Sequence, residues 1–206
     1  MMIGKAICQV AARFPWAWPV ISNPVMRFFD SRARTWDADT EAGSVDHLAP
    51  LAAGVLHAGR DPERVLDIGC GTGAATFFLA REYPRARIRG VDLSPGMIDR
   101  ANSRIGLDPE ARVAFRVGDA RKLPYPDDNF DLVAQTNMPV FFAEIDRVLR
   151  PGGAVVIASS SGQDTPFSTP DHLLEKKFRK RGFVDVETGT AARGTYFAAR
   201  KKSLPE

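Results

Sequence analysis

The nine residues VLDIGCGTG, from Val65 to Gly73, carry the strongest structural signal in this chain. Residues 65–68 are apolar apart from Asp67, which is typical of a buried strand in a parallel sheet. Three glycines then alternate, and a residue without a Cβ lets the backbone turn sharply and lets a ligand approach it closely. The following residues, 74–82, favour a helix. A strand that ends in a glycine turn before a helix is how an α/β sheet forms a nucleotide pocket at its carboxyl edge.

Further apolar segments are predicted strands of the same sheet, at residues 88–91, 113–117, 129–134 and 154–159. The first of them leads into Asp92, and an acidic residue about 20 positions after the glycines can accept hydrogen bonds from ribose hydroxyls. Both NAD and S-adenosylmethionine contain a ribose. The spacing Gly69-x-Gly71-x-x-Ala74 also satisfies the dinucleotide pattern, so these residues leave both cofactors open.

The complete series of motifs is more specific than the glycines. Gly118-Asp119-Ala120 follows the third predicted strand, and the sequence VLRPGG at residues 148–153 precedes the fifth. In this order the motifs resemble the class I S-adenosylmethionine-dependent methyltransferases, close to the type 11 small-molecule branch, over residues 65–160. The resemblance favours S-adenosylmethionine over NAD. It implies a Rossmann-like α/β fold, with a doubly wound seven-stranded sheet in a three-layer α/β/α sandwich, mostly parallel with an antiparallel C-terminal hairpin.

The remaining elements are predicted from periodicity and turn residues. A turn at Asn23-Pro24 is expected before a helix at residues 25–33. Two more helices are predicted at 44–59 and 171–181, and two C-terminal strands at 183–188 and 195–200, joined through Gly189 and Gly194. We expect two domains, a helical lid over residues 1–45 and the cofactor-binding domain over residues 46–206.

The resemblance assigns the cofactor site to residues at the carboxyl ends of the first four strands. They are Asp67, Gly69, Cys70, Gly71, Thr72, Gly73, Asp92, Leu93, Met97, Asp119, Ala120 and Thr136. The glycine turn is expected to hold the methionine end of the cofactor and its ribose. Leu93 and Met97 would flank the adenine, Asp119 would accept from its amino group, and Ala120 would offer a backbone N–H.

Several of these residues have a purely structural alternative. Asp67 organises the amino-acid end of the cofactor in the family, but it could instead cap the glycine turn by accepting backbone N–H bonds. Asp92 could cap the helix that follows it. Ser94 is the better cap, because Pro95 stands at the first helical position, and this would free Asp92 for both ribose hydroxyls. Cys70 could be a reactive thiol or simply pack.

The N-terminal segment is rich in aromatic residues and is predicted to close over the acceptor. The predicted substrate residues are Phe28, Arg32, Trp36, Asn137, Met138 and Phe141. An apolar, aromatic pocket suits a lipophilic or aromatic small molecule. Two alternatives remain for this segment, since its aromatic residues could pack on the outside of the domain or lie on a membrane surface.

No catalytic residue is identified, because residues 135–142 after the fourth strand contain no ionisable side chain. Of the three histidines, His172 has the best prospect of acting as a base, and His47 and His57 are expected to be surface or packing residues. The predicted function is methyl transfer to a small molecule. The alternatives are an S-adenosylmethionine-binding sensor or scaffold without turnover, and a methyltransferase acting on RNA or protein, for which Asn137-Met138-Pro139 lacks the acceptor signature.

Composition agrees with one enzyme domain and a small appendage. The chain has 206 residues, 44% of them hydrophobic, and its formal net charge of +3 is too small to imply a nucleic-acid partner. Its two cysteines, Cys8 and Cys70, do not form a disulfide framework, and no side-chain cluster has metal-ligand spacing. The apolar segment 6–12 is shorter than the roughly 20 residues that span a membrane, so a cytoplasmic location is expected.

Overall fold

The structure is a computed structural model, and it describes residues 18–59, 61–108, 110–162 and 168–203. The predictions on Cys8, on the apolar segment 6–12 and on the first part of the lid lie outside the described residues.

A seven-stranded sheet forms the centre of the fold. Its strands are β1 (Arg64–Ile68), β2 (Arg87–Asp92), β3 (Val113–Val117), β4 (Phe130–Thr136), β5 (Leu149–Ser159), β6 (Phe183–Ala191) and β7 (Gly194–Lys201). Their spatial order is β3-β2-β1-β4-β5-β7-β6. The first five strands pair in parallel, whereas β7 is antiparallel to both β5 and β6. The predicted fold class is therefore confirmed.

Helices cover both faces of this sheet. They are α1 (Trp18–Arg32), α2 (Trp36–Thr40), α3 (Val45–Val55), α4 (Ala74–Glu82), α5 (Pro95–Asn102), α6 (Phe142–Val148) and α7 (Asp171–Arg179). Alternate residues of β1 enter two separate cores, because successive side chains of a strand point to opposite faces. Val65 packs with α3 and α4 on one face, and Leu66 and Ile68 pack with α6 and α7 on the other.

The N-terminal helix differs from its prediction. It begins at Trp18 and continues through Pro24, so the predicted turn at Asn23-Pro24 is wrong. A proline inside a helix removes one hydrogen bond and leaves the carbonyl of the residue four positions earlier unpaired. That residue is Val20, which is 78% exposed, so water can satisfy the carbonyl and the helix tolerates the proline.

Two C-terminal features also differ from their predictions. Strand β5 begins at Leu149 rather than Ala154, because the pairing with β4 resumes after a register shift that accommodates the Pro-Gly-Gly sequence as an irregularity. Gly189 lies inside β6 opposite Tyr196, and the hairpin turn is formed by Ala192 and Arg193, with Ala192 at φ 49°. None of the helices in the described part of the chain has the length and apolar character needed to cross a bilayer.

Candidate functional site

The carboxyl ends of β1, β2 and β4 surround a cavity. It lies where the strand order reverses between β1 and β4, which is the position at which open α/β sheets bind ligands. The cavity is lined by the turn residues Gly69, Cys70, Gly71 and Thr72, by Ala74, Ala75, Val91, Asp92, Leu93, Met97, Gly118 and Ala120, by Thr136, Asn137, Met138 and Pro139, and by Val25, Phe29, Trp36, Ala42 and His47.

Most of the predicted site residues meet in this cavity. Those that do not line it are Asp67, Gly73, Asp119, Phe28, Arg32 and Phe141. Gly73 is the N-cap residue of α4, where an added Cβ would lie 2.8 Å from the Phe115 ring and 2.9 Å from the Phe77 ring. This glycine therefore serves the packing of the turn against two aromatic side chains.

The glycine turn is held in place by its own backbone and by Asp92. Gly69 and Gly71 adopt φ values of 70° and 51°, a region that favours glycine. One carboxylate oxygen of Asp92 accepts the N–H of Gly71 at 2.9 Å, and the other accepts the N–H of Ser94 at 2.9 Å. A Cβ added at Gly71 would meet nothing within 4 Å, so the backbone there is open to a ligand.

These contacts correct the expectation that Asp92 is left free. Ser94 does cap α5, since its hydroxyl accepts the N–H of Met97 at 3.1 Å. Asp92 nevertheless holds two backbone groups before any ligand binds. A carboxylate has about four lone-pair sites, so each oxygen can still accept a further hydrogen bond. Burial raises the pKa of Asp92, and the hydrogen bonds from Ser94 and Gly71 oppose this effect.

Asp67 is buried beneath the glycine turn. Its Oδ2 accepts the hydroxyl of Thr76, on α4, at 2.6 Å, and its Oδ1 is buried without a hydrogen-bond partner. Burial raises the pKa of Asp67 to about 7, against the lowering effect of the Thr76 hydrogen bond. The Gly71 N–H is bonded to Asp92 and not to Asp67. The alternative in which Asp67 caps the glycine turn is therefore wrong for this N–H group.

Asp119 is turned away from the cavity. Its carboxylate forms an ion pair with Arg121, with 2.7 Å between Nη2 and Oδ2, and it also accepts the Arg121 backbone N–H at 2.9 Å. Its neighbours Gly118 and Ala120 line the cavity in its place. The structure therefore does not support the predicted contact between the Asp119 side chain and adenine.

The lid divides into an inner and an outer face. Phe29 and Trp36 line the cavity, and their rings pack edge to face with centroids 5.2 Å apart. Phe28 is 48% exposed, and the Arg32 guanidinium lies over its ring at 5.0 Å, so both of these predicted substrate residues point outwards. Adjacent helical residues project about 100° apart, which explains why Phe29 lines the cavity while its neighbour Phe28 points outwards.

Two carboxylates fasten the N-terminal helices α1 and α2 to residues that follow β1 and β2. Asp30 accepts the hydroxyl of Ser94 and, at 2.9 Å, the N–H of Gly96 at the start of α5. Asp37 accepts the hydroxyl of Thr72 and pairs with Arg104 at 3.1 Å. No local pattern in the sequence indicates these contacts, because each joins residues more than 30 positions apart.

The segment after β4 forms the opposite wall. Asn137 has φ 55°, and its side chain exchanges hydrogen bonds with Ser160 at 2.7 and 2.9 Å, which fixes the end of β4 to the end of β5. Met138 lies directly over Gly69, where any added Cβ would collide with its sulfur. Phe141 is buried behind Met138, so it supports the wall without reaching the cavity. The hydroxyl of Thr136 is buried without a partner.

Sequence reasoning missed His47. This residue lies in the first turn of α3, where its N–H is capped by Ser44, and its side chain lines the cavity. Burial lowers the pKa of His47, and a hydrogen bond to the Thr40 backbone partly opposes this. His172, which the sequence favoured, is exposed at the start of α7 and lines neither of the cavities described here.

A second cavity adjoins the first. It shares Phe29, Trp36, His47 and Asn137 with it and is completed by Thr40, Glu41, Ser44, Ser160, Ser161 and Arg193. Its two charged residues, Glu41 and Arg193, form an exposed ion pair at 3.7 Å.

Burial raises the pKa of the Cys70 thiol well above its usual range, which keeps it protonated and favours the packing role.

Comparison with known proteins places this geometry in context. A family model described as a methyltransferase domain matches residues 65–153. Malonyl-[acyl-carrier protein] O-methyltransferase of Halorhodospira halophila is 37% identical over 145 residues, which are 66% of this chain and 47% of that protein. Demethylmenaquinone methyltransferase of Symbiobacterium thermophilum is 31% identical over 156 residues, which are 70% of this chain and 61% of that protein. The chain thus spans about half the length of these relatives.

A solved structure shares the fold. Phosphoethanolamine N-methyltransferase 2 of Haemonchus contortus, in complex with S-adenosyl-L-methionine, aligns with a TM-score of 0.67 and 20% identity. The alignment covers 84% of this chain and 57% of that one.

Proposed function

We propose that the chain is a class I S-adenosylmethionine-dependent methyltransferase and that it transfers the methyl group of S-adenosylmethionine to a small, largely apolar molecule. One observation carries this proposal. The glycine turn, Asp92 and the unpartnered Thr136 hydroxyl surround a single cavity, and two aromatic side chains of the lid close it. The polar groups suit an adenosyl cofactor, and the aromatic side chains suit an apolar acceptor.

The residues present fit the cofactor. The backbone at Gly71 is open to a ligand, and the Thr136 hydroxyl can donate or accept a hydrogen bond that the protein leaves unused. When bound, S-adenosylmethionine supplies an electrophilic methyl group on a sulfonium. The task of this chain is to orient the acceptor in line with that methyl group and to exclude water, so proximity contributes much of the rate.

The individual roles follow from the walls of the cavity. Asp92 accepts the ribose hydroxyls through its remaining lone pairs, and Leu93 and Met97 flank the adenine. Ala120 offers its backbone N–H to an adenine nitrogen. Asp119 is left out of this set, because it does not line the cavity and its carboxylate pairs with Arg121. Asp67 does not line the cavity, so its effect on the amino-acid end of the cofactor is indirect, through the hydrogen bond that ties it to Thr76 at the start of α4.

The acceptor side is apolar where the lid meets the β4 segment. Phe29, Trp36 and Met138 form this wall, in place of the outward-facing Phe28 and Arg32. One relative named above is a demethylmenaquinone methyltransferase, which agrees with a lipophilic acceptor for this chain, whereas the malonyl-[acyl-carrier protein] methyltransferase does not bear on this point. We retain the division into a lid, residues 1–45, and a methyltransferase domain, residues 46–206. A cytoplasmic location and the absence of a nucleic-acid partner stay predictions.

Calorimetry and methyl-transfer assays test this proposal. The protein should bind S-adenosylmethionine and S-adenosylhomocysteine with micromolar affinity, about 8 kcal/mol, and should not bind NADH. Transfer of a radiolabelled methyl group to lipophilic metabolites is expected. Binding of NADH alone would refute the function. Binding of both adenosyl ligands without transfer to any acceptor would favour the sensor or scaffold, which the lack of an ionisable group after β4 supports.

A further inference from the structure

His47 stands at the junction of the two cavities. Four residues are common to both linings, namely Phe29, Trp36, His47 and Asn137, and of these His47 alone has a titratable side chain. The first cavity contains the glycine turn and Asp92. His47 therefore borders both the second cavity and the cavity that contains the glycine turn.

We propose that the second cavity binds the methyl acceptor, a neutral molecule with a weakly acidic hydroxyl such as a phenol, and that His47 is its general base. This inference rests on the proposed function and names its acceptor class. The β4 segment supplies no base, and the Asn137 amide is already bonded to Ser160. A hydroxyl nucleophile must lose its proton, whereas an acceptor that is already ionised needs no base.

The walls of the second cavity select a neutral, aromatic acceptor. Phe29 and Trp36 offer ring faces or edges for packing. Ser160 and Ser161 add polar groups to the same lining. Glu41 and Arg193 pair with each other, so the cavity presents no uncompensated charge to attract an ion.

His47 is suited to accept a proton at neutral pH. Its pKa is lowered by burial, so the imidazole is unprotonated when the acceptor binds. Its position in the first turn of α3 acts in the same direction, because the helix N-terminus disfavours a cation. The backbone of Thr40 opposes this lowering of the pKa only in part. In a neutral imidazole one ring nitrogen carries a lone pair, which can accept the proton of the acceptor hydroxyl.

Other ionisable groups near His47 have fixed partners or face the cofactor side, apart from the exposed Asp46 beside it on α3. Glu41 and Arg193 neutralise each other across the second cavity, and Asp37 pairs with Arg104. Asp92 lies on the first cavity with its oxygens on Gly71 and Ser94. Cys70 also lies there and stays protonated, and Asp46 is adjacent on α3.

The proposed step balances in atoms and electrons. The acceptor oxygen forms a bond to the methyl carbon while the bond between that carbon and sulfur breaks, and the electron pair of the broken bond stays on sulfur. The hydroxyl proton passes to the free nitrogen of His47. His47 then releases it to solvent through the second cavity, which opens beside the exposed Arg193.

Two phenols and one matched control test the assignment. The variant is His47→Asn, and the control is His57→Asn, which changes an exposed histidine just beyond the opposite end of α3. The probes are 4-methylphenol, which is protonated at neutral pH, and 4-nitrophenol, which ionises more readily. With 4-methylphenol, kcat of His47→Asn should fall by about 10²–10⁴-fold with little change in KM. With 4-nitrophenol the loss should be at least tenfold smaller, and His57→Asn should match the unsubstituted protein.

A second readout does not depend on turnover. In NMR spectra with labelled histidine, the signal missing from His47→Asn should titrate at a lower pH than free histidine does. Addition of 4-methylphenol should shift the His47 signal and leave that of His57 unchanged.

The outcomes separate this inference from the proposed function. Affinity for S-adenosylhomocysteine should be the same in His47→Asn and in the unsubstituted protein. Equal kcat losses with both phenols, loss of S-adenosylhomocysteine binding, or no transfer to either phenol and no NMR shift would each overturn the role of His47 or its acceptor class. Failure of the unsubstituted protein to bind S-adenosylhomocysteine would instead overturn the proposed function.

Discussion

Asp92 joins the glycine turn to the predicted ribose site, so its removal should damage both. Asp92→Ala leaves the N–H groups of Gly71 and Ser94, each now 2.9 Å from a carboxylate oxygen, without their acceptor. An unsatisfied buried donor costs about 1–3 kcal/mol. The variant also removes a buried carboxylate whose pKa is raised by desolvation, which offsets part of this loss.

The expected net loss without ligand is about 2–3 kcal/mol, near the low end for two donors. For a chain of this length 1 kcal/mol corresponds to roughly 2–4 °C, so Tm should fall by about 4–12 °C. Affinity for S-adenosylhomocysteine should fall at least tenfold, since each hydrogen bond from a ribose hydroxyl to a carboxylate contributes roughly 1.5–3 kcal/mol. Thermal unfolding without ligand and calorimetry with S-adenosylhomocysteine measure the two effects separately.

Asp131 provides a matched control at the opposite edge of the sheet. Its carboxylate also accepts two backbone N–H groups, from Glu63 at 2.6 Å and Arg64 at 2.8 Å. Asp131→Ala should therefore lower Tm without changing affinity for S-adenosylhomocysteine. If Asp92→Ala behaved like Asp131→Ala, losing stability but not affinity, Asp92 would only support the turn and the ribose assignment would be refuted.

Three further predictions concern the lid, the buried carboxyl and the glycine turn. Asp37→Asn removes the ion pair with Arg104, so limited proteolysis should cut the lid faster without ligand; an unchanged cleavage rate would show that this contact does not hold the lid. The Asp67 carboxyl, with its pKa raised to about 7, keeps its proton in the folded state while the unfolded chain loses it near pH 4. The free energy of unfolding should therefore decrease as pH rises from about 4 to 7, by on the order of 4 kcal/mol, and Asp67→Asn should flatten this dependence in denaturant titrations. Gly69→Ala, at φ 70° and against Met138, should lower stability by about 1–3 kcal/mol in the same titrations, and Met138→Ala should restore only the part due to the collision.

The sheet could be predicted well because its signals are local. Apolar runs bounded by glycine, proline or aspartate located the core strands, and β3 and α4 begin and end at the predicted residues. The exceptions have identifiable causes. Helix α1 continues through Pro24 because the exposed side of the helix lets water replace a lost hydrogen bond. The irregular start of β5 depends on its pairing with β4, which is a tertiary contact.

The candidate site was predictable only where it follows the sheet. Residues at strand ends, such as Asp92 and Thr136, must lie at the carboxyl edge once the strand order is known. The strand order does not fix the positions of residues in the N-terminal helices. Choosing Phe29 rather than Phe28 required the rotation of α1 about its axis, and finding His47 required the position of α3 relative to the second cavity. Both depend on tertiary packing.

The contacts of α1 with the β2–α5 segment would let the proposed lid respond to the cofactor. Asp30 binds the first turn of α5, and the same turn donates the Ser94 N–H to Asp92. Asp30 also raises the pKa of Asp92 through its negative charge. Ribose hydroxyls that bind Asp92 therefore act on a loop that the lid already contacts. Because coupling between two binding events is reciprocal, any preference of the closed lid for bound cofactor implies an equal preference of the cofactor for the closed lid. Polar contacts suit this role better than an apolar interface of the same size, since water can replace them when the lid opens.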